Sequence, residues 1–133
     1  DNIAVRQSAA YACAAIDLTE DTALKLLIKD VANTTDSSIS GGAMKYIAEL
    51  SRFPVCAPKV LPVVKDCLNR PETILRLRAI AALTAIRPSD AKELLRPLAE
   101  KDRVITVRDS ASRAIKMLDS NPRPERVRVV CQK

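Results

Sequence analysis

The chain contains no histidine and no tryptophan among its 133 residues, and it has only two tyrosines and one phenylalanine. Without histidine, a Ser-His-Asp or Cys-His catalytic arrangement is excluded, as is any zinc site that includes a histidine. The four cysteines, Cys13, Cys56, Cys67 and Cys131, form no CxxC pair. The sequence therefore predicts a protein that is not an enzyme and that binds neither a metal nor a cofactor.

Long apolar runs are also missing. None approaches the roughly 18 residues of a membrane span, and the start lacks the basic and apolar regions of a signal peptide. We therefore expect a soluble, cytoplasmic protein without a membrane partner. The first residue is Asp1 instead of Met, which indicates processing or origin from a longer protein.

The cysteines are expected to be reduced. In a helix, the eleven residues between Cys56 and Cys67 rise about 16 Å, whereas a disulfide needs Cα atoms roughly 4.4 to 6.8 Å apart. Cys13 and Cys67 fall at positions that the helical pattern described below predicts to be buried, where a free thiol behaves as a small apolar group.

The residues that are abundant favour packed helices. The chain is 47% hydrophobic but only 2% aromatic, so its core must consist of Ala, Leu, Ile and Val. The net charge of +6 is uneven, because residues 1–66 carry seven basic and eight acidic side chains while residues 67–133 carry fifteen and eight. The second half of the chain is therefore the basic half.

One twelve-residue pattern occurs four times. The copies are VRQSAAYACAAI (5–16), ISGGAMKYIAEL (39–50), LRLRAIAALTAI (75–86) and VRDSASRAIKML (107–118). At about 100° per residue, positions 1, 5, 8, 9 and 12 form one apolar stripe, which predicts an amphipathic helix. Position 5 is alanine in every copy, and this small residue allows a neighbouring helix to approach closely.

A second type of helix is predicted before each later copy, at 22–31, 57–68 and 90–100, where apolar residues recur at helical spacing. Thr19 or Asp21, and Ser89 or Asp90, are the candidate N-caps of the first and third of these helices. Gly41 and Gly42 are expected to begin the helix of the second copy, with Ser40 as its cap. The copies are 34, 36 and 32 residues apart, and such periods are typical of helical solenoids.

The predicted architecture is all-α, with about three and a half helix-pair repeats in residues 1–120. Residues 121–133 are expected to form a basic tail, either a short capping helix or an extended strand. Pro62 and Pro97 fall inside predicted helices and should bend them.

The repeats resemble the HEAT-repeat (armadillo-like) family, in which a first helix with an internal proline is followed by a turn containing Asp and a second helix that opens with Val-Arg. KVLPVVKDCLNRPETILR has this pattern at Pro62 and Leu75-Arg76, and DRVITVR has it at Asp102 and Val107-Arg108. The resemblance covers residues 5–118 and implies a right-handed α–α superhelix. It assigns structural roles to the repeat positions Arg6, Arg76, Asp102 and Arg108. Arg76 and Arg108 are expected to contact turn carboxylates such as Asp102 or the previous repeat.

The resemblance also implies that the second helices line a concave wall. The side chains expected to bind a partner there are Tyr11, Met44, Lys45, Leu77, Ile80, Arg113 and Lys116. For the apolar members, packing between adjacent repeats is an equal alternative. The expected function is a non-catalytic protein–protein interaction scaffold that takes an acidic or amphipathic segment. The alternatives are nucleic-acid binding through the basic half and, third, a cofactor-attachment enzyme similar to HEAT-like phycobilin lyases.

The first copy has no partner helix before it. We therefore expect its apolar stripe to be partly bare. Either preceding repeats have been removed, or this edge contacts another molecule, which includes self-association. The stripe comprises Val5, Ala9, Ala12, Cys13 and Ile16.

Overall fold

A computed structural model describes residues 3–17, 21–32 and 36–120. Seven α-helices and no strand occur in these ranges, so the predicted all-helical class is confirmed there. The helices are α1 (Ile3–Ile16), α2 (Thr22–Ala32), α3 (Ser37–Leu50), α4 (Ala57–Cys67), α5 (Thr73–Ile86), α6 (Ala91–Lys101) and α7 (Ile105–Ser120). Thr19, Cys131 and the predicted tail at 121–133 lie outside the described residues.

The helices of the twelve-residue copies, α1, α3, α5 and α7, each begin two residues before the repeated pattern. In α3 the reason is the N-cap Asp36, whose Oδ1 accepts hydrogen bonds from the Ser38 amide (2.9 Å) and the Ser38 hydroxyl (2.7 Å). The prediction that α3 begins at Gly41 and Gly42 was wrong, because Asp36 satisfies the first free amides earlier in the chain. Ser40 is not the cap, and its hydroxyl instead donates to the Asp36 carbonyl (3.2 Å).

The chain divides into two compact units, Asp1–Ile86 and Arg87–Lys133. The division falls inside the segment 1–120 that the sequence predicts as one repeat domain. At this point α5 ends, and Arg87 has a φ of 57°, the left-handed conformation that commonly terminates a helix. Pro88 follows directly and cannot continue the helix.

The first unit contains two rows of helices. In one row α1 packs on α3 and α3 packs on α5, while the other row consists of α2 and α4. Between the rows, α2 packs on α1 and α3, and α4 packs on α5. The core between the rows is aliphatic, and its fully buried side chains include Leu27, Val31, Ile47, Leu50, Val60, Val64, Leu75 and Leu83.

The second unit is described through the helix pair α6 and α7, which pack on each other. Leu95 of α6 and Val107 and Ala111 of α7 are completely buried. An ion pair between Lys92 and Asp119 (2.6 Å) joins the start of α6 to the end of α7. Pro97 lies inside α6, as Pro62 lies inside α4, and the bends expected there remain predictions.

The position-2 arginines stabilise the turns before their own helices. Arg76 is 5% exposed and donates to the main-chain carbonyls of Arg70 (2.9 Å) and Pro71 (2.8 Å). Arg108 donates in the same way to the carbonyl of Asp102 (2.6 Å), again six residues earlier. These carbonyls lie in turns, outside the helical hydrogen-bond ladder, and a guanidinium with five donors can satisfy more than one of them. Arg108 thus contacts Asp102 through the main-chain carbonyl of that residue. The expected contacts with turn carboxylates remain predictions.

Cys56 and Cys67 are buried, but Cys13 is exposed, so its predicted burial was wrong. The reason is that α2 and α3 cover the opposite side of α1, on which Gln7, Ala10 and Ala14 are buried. In the part of the chain that the structure describes, no helix is both long and apolar enough to cross a membrane.

Candidate functional site

An open groove of about 740 Å³ lies between α1 and α3 in the first unit. It is lined by the apolar residues Ile3, Ala4 and Ile39, by Gly42, and by the polar residues Gln7, Asp36, Ser38, Lys45 and Tyr46. The groove exists because two equivalent repeat helices lie side by side and the glycine between them carries no side chain. It offers both apolar surface and groups of both charges.

The floor of the groove is fixed by the buried amide of Gln7, which is 3% exposed. Its Nε2 donates to Asp30 Oδ2 of α2 (3.0 Å) and to the Ile39 carbonyl of α3 (3.0 Å). Asp30 also accepts two bonds from Arg6 Nη2, at 2.9 and 3.1 Å. Arg6, a predicted structural residue, thus ties α1 to α2, and Gln7 ties α1 to both neighbouring helices.

Gly42 leaves room for the Gln7 amide at this close approach. A Cβ at residue 42 would lie 2.6 Å from Gln7 Oε1, closer than real Cβ contacts allow. At Gly41 a Cβ would meet Ile74 Cγ2 at 3.5 Å, an ordinary contact. Only the second of the two glycines is therefore fixed by packing. Glycine-rich segments such as Ser40-Gly41-Gly42 can form phosphate-binding loops. Here both glycines lie inside helix α3, so this segment does not form such a loop.

The rim of the groove is aromatic and basic. The rings of Tyr11 and Tyr46 are stacked, with centroids 5.0 Å apart and an interplanar angle of 28°. Lys45 Nζ lies 6.0 Å from the centroid of the Tyr46 ring, within reach of a cation–π interaction. Two predicted binding residues, Tyr11 and Lys45, thus contact the Tyr46 ring, and of these Lys45 lines the groove. Tyr46 itself was assigned to the buried stripe, although it is half-buried and lines the groove.

Asp36 provides the negative charge of the groove. Hydrogen bonds from the Ser38 hydroxyl and amide lower the pKa of Asp36 below its ordinary value, so the carboxylate is ionised at neutral pH. This carboxylate occupies the N-terminus of α3, where a bound anion would otherwise be favoured. An acidic group of a ligand would therefore be directed toward Lys45 and away from Asp36.

The remaining predicted binding residues do not join this groove. Met44 is completely buried, with its sulfur 3.9 Å from Cys67 Sγ, and Ile80 is 3% exposed. Both side chains therefore serve packing, which was the alternative reading. Leu77 is half-buried on α5. Arg113 and Lys116 are exposed on α7, in the second unit.

Three side chains that do not line the groove, Cys56, Cys67 and Glu72, have shifted pKa values. No group of three or more Cys, Asp or Glu residues is close enough to hold a metal ion in residues 3–17, 21–32 and 36–120. Burial raises the pKa of the Cys56 thiol and raises that of Cys67 to about 11, so both thiols are protonated at neutral pH. The pKa of Glu72 is lowered by a hydrogen bond from its own backbone amide and by Arg70, so this residue is an anion and a poor proton donor.

Comparison with models of protein families, with curated proteins and with solved structures gives no match. The function of the groove must therefore be argued from its own geometry.

Proposed function

We propose that this chain is a non-catalytic protein-interaction module of HEAT-like type, and that the groove between α1 and α3 binds an acidic segment of a partner protein. One observation carries the proposal. Lys45 and Tyr46 line an open groove, and Tyr11 stacks on the Tyr46 ring. The Gln7 amide, which also lines the groove, is fixed by hydrogen bonds to α2 and α3.

The repeat-protein part of the proposal is supported by the contacts of the first unit. The pairing of α2 with α3 recurs one repeat later as the pairing of α4 with α5, and α3 packs on both α1 and α5. Repeats that contact mainly their neighbours form extended surfaces and do not converge on one catalytic centre. Protein binding is the use that such a surface serves best.

The acidic character of the partner follows from the charges of the groove. Lys45 is exposed and lies at the aromatic rim, whereas Asp36 is an anion at the start of the same helix. A bound segment could place a carboxylate near Lys45 and apolar side chains against Ile3 and Ile39. It would then match both the charged and the apolar lining of the groove. Aromatic and basic side chains of this kind are typical of the residues that dominate interface energies.

The test is a selection of random peptides of about 12 residues, displayed on phage, against the full chain. We expect peptides enriched in Asp and Glu, with binding at least tenfold weaker to Lys45→Glu and to Tyr11→Ala. The matched control is Lys29→Glu, which makes the same charge change at an exposed site on α2, in the other row of helices. Circular dichroism verifies that each variant keeps its helices. Peptides that bind the Lys45 and Lys29 variants equally well, or an absence of enrichment, would refute the proposed groove.

Nucleic-acid binding through the second unit is the second candidate. Arg113 and Lys116 are exposed one helical turn apart on α7. Binding of a random DNA duplex at about 50 mM salt that is largely lost at 200 mM, and lost with Arg113→Glu and Lys116→Glu, would favour this function. No binding at the lower salt would eliminate it.

A further inference from the structure

The charges of the groove between α1 and α3 have a fixed order along α3. Among the described residues that line this groove, two are charged, Asp36 at the N-cap of α3 and Lys45 nine residues later. Both residues are exposed. Because an α-helix rises about 1.5 Å per residue, they lie about 13 Å apart along the helix axis. A ligand that lies along the groove therefore meets an anion at one end and a cation at the other.

The lining between these two charges is apolar. The α3 residues of the groove recur at intervals of three, and they are Asp36, Ile39, Gly42 and Lys45. Successive members are therefore about 4.5 Å apart along the helix axis. On the side of α1 the groove is lined by Ile3, which is half-buried, and by Ala4, which is exposed. The middle of the groove thus suits an apolar side chain.

An extended segment matches the spacing of this lining. Side chains on one face of an extended chain recur every second residue, about 6.6 Å apart. If one side chain lies at Asp36, the second lies between Ile39 and Gly42, and the third lies close to Lys45. The three positions then meet a negative charge, an apolar surface and a positive charge in turn.

The N-terminus of α3 carries a partial positive charge, which opposes a cation there only in part. The helix dipole amounts to about half a positive charge, whereas an ionised carboxylate carries a full negative charge. Hydrogen bonds from Ser38 lower the pKa of Asp36, so this carboxylate is ionised at neutral pH. The net charge at this end of the groove is therefore negative.

We propose that the groove selects an extended segment of a partner protein in which a basic and an acidic residue lie four positions apart, with an apolar residue midway between them. The basic side chain lies at Asp36, the apolar one against Ile39, and the acidic one at Lys45. Asp36 is then a residue that determines specificity. This inference rests on the proposed function, because it specifies the order of charges in the acidic segment that the groove binds.

The probe is the amidated peptide GGKSISEGG, labelled at its N-terminus, and fluorescence polarisation follows its binding to the full chain. The peptides GGQSISEGG and GGKSISQGG each lack one charge. GGKSIESGG has the same composition, but its acidic residue is on the other face of the extended chain. On the protein, Asp36→Asn and Lys45→Gln each remove one charge. Asparagine caps a helix as well as aspartate does, so circular dichroism should show unchanged helices.

We expect each peptide charge to act through one residue of the groove. Loss of the peptide lysine should weaken binding about threefold to the wild type, but not to Asp36→Asn. Loss of the peptide glutamate should weaken binding about threefold to the wild type, but not to Lys45→Gln. GGKSIESGG should bind about threefold more weakly than GGKSISEGG. The matched controls Asp66→Asn and Lys29→Gln, at exposed sites on α4 and α2, should leave these differences unchanged.

The inference and the proposed function fail on different results. Acidic peptides whose binding depends on Lys45, but neither on Asp36 nor on the peptide lysine, would overturn the charge order and leave the proposed function standing. Equal binding of GGKSIESGG would overturn the extended alternation. If Asp36→Asn loses helical signal, the loss of the peptide lysine decides on the wild type alone.

Two further results would overturn both the inference and the proposed function. One is the absence of binding by every acidic peptide. The other is a dimer of the chain alone, detected by analytical ultracentrifugation, that dissociates with Lys45→Glu and is not displaced by GGKSISEGG. In that case a second copy of the chain, and not a partner segment, occupies the groove.

Discussion

Replacing Gly42 by alanine should destabilise the protein, although alanine is the better residue inside a helix. Helix propensity alone favours alanine by about 1 kcal/mol. At residue 42, however, the new Cβ would lie 2.6 Å from Gln7 Oε1. The Gln7 amide must then move, and it is held by hydrogen bonds to the Asp30 carboxylate and the Ile39 carbonyl.

The magnitude follows from those two bonds. A buried bond to a charged group contributes roughly 1.5 to 3 kcal/mol, and a neutral one about 1 kcal/mol. After subtraction of the propensity gain, Gly42→Ala should lower the free energy of unfolding by about 1.5 to 3 kcal/mol. Gly41→Ala is the matched control, because its Cβ would make an ordinary 3.5 Å contact with Ile74. That variant should be more stable than the wild type by about 1 kcal/mol.

Urea unfolding followed by circular dichroism gives these free energies. Tyrosine fluorescence adds a local signal, since the chain has no tryptophan and its two tyrosines, Tyr11 and Tyr46, stack between α1 and α3. In a Gln7→Ala background the clash is absent, so Gly42→Ala should become stabilising by about 1 kcal/mol. A Gly42→Ala variant as stable as Gly41→Ala, or one that still destabilises without Gln7, would refute the account of the α1–α3 contact.

Three further predictions concern single side chains. Arg76→Lys should lower the free energy of unfolding in urea by about 2 kcal/mol, because an ammonium cannot replace the guanidinium at both turn carbonyls. The control Arg113→Lys, on the exposed face of α7, should change that free energy by less than about 0.5 kcal/mol. The folded pKa of Cys67 is raised to about 11, above its ordinary 9.0, so the unfolded thiol ionises first and stability should fall by about 2 kcal/mol as pH rises from 9 to 11. Cys67→Ala should lack that slope, and parallel curves would contradict the burial argument. The pKa of Asp36 is lowered, so its cap should stabilise α3 at neutral pH. That stabilisation should be lost as pH falls below 3.8 toward the folded pKa. Asp36→Ala should therefore unfold at a lower urea concentration than the wild type at pH 6, and the difference should shrink in acid.

The comparison of sequence and structure is most informative at the twelve-residue pattern. Its periodicity predicted helices at 5–16, 39–50, 75–86 and 107–118, and each of these segments is helical, because the spacing of apolar residues is a local property of one helix. The same pattern assigned Tyr46 to the buried stripe and Met44 to the exposed wall, yet Tyr46 lines the groove and Met44 is fully buried. An angular position shows which residues share a face, but not which neighbouring helices cover that face.

Gln7 shows the same limit for a polar residue. Gln7 lies outside the apolar stripe of the pattern, but it is buried and its amide bonds to Asp30, 23 residues away along the chain. A glycine inside a helical pattern was the one available signal of close approach, and it did not distinguish Gly42 from Gly41. The boundary between the two compact units after Ile86 could not be predicted from the repeat either. Residues 75–86 and 107–118 follow the same pattern on the two sides of this boundary.

The amino-acid order by itself determined that this protein is helical and where its helices lie, because backbone hydrogen bonding and apolar spacing act over a few residues. Only the tertiary structure decided which faces are covered. It buried Met44 and Ile80, brought Tyr11 and Lys45 into contact with Tyr46, and left Val5 and Ile16 of α1 exposed. Burial depends on the presence of a neighbouring helix, and no pattern within a single helix contains that information.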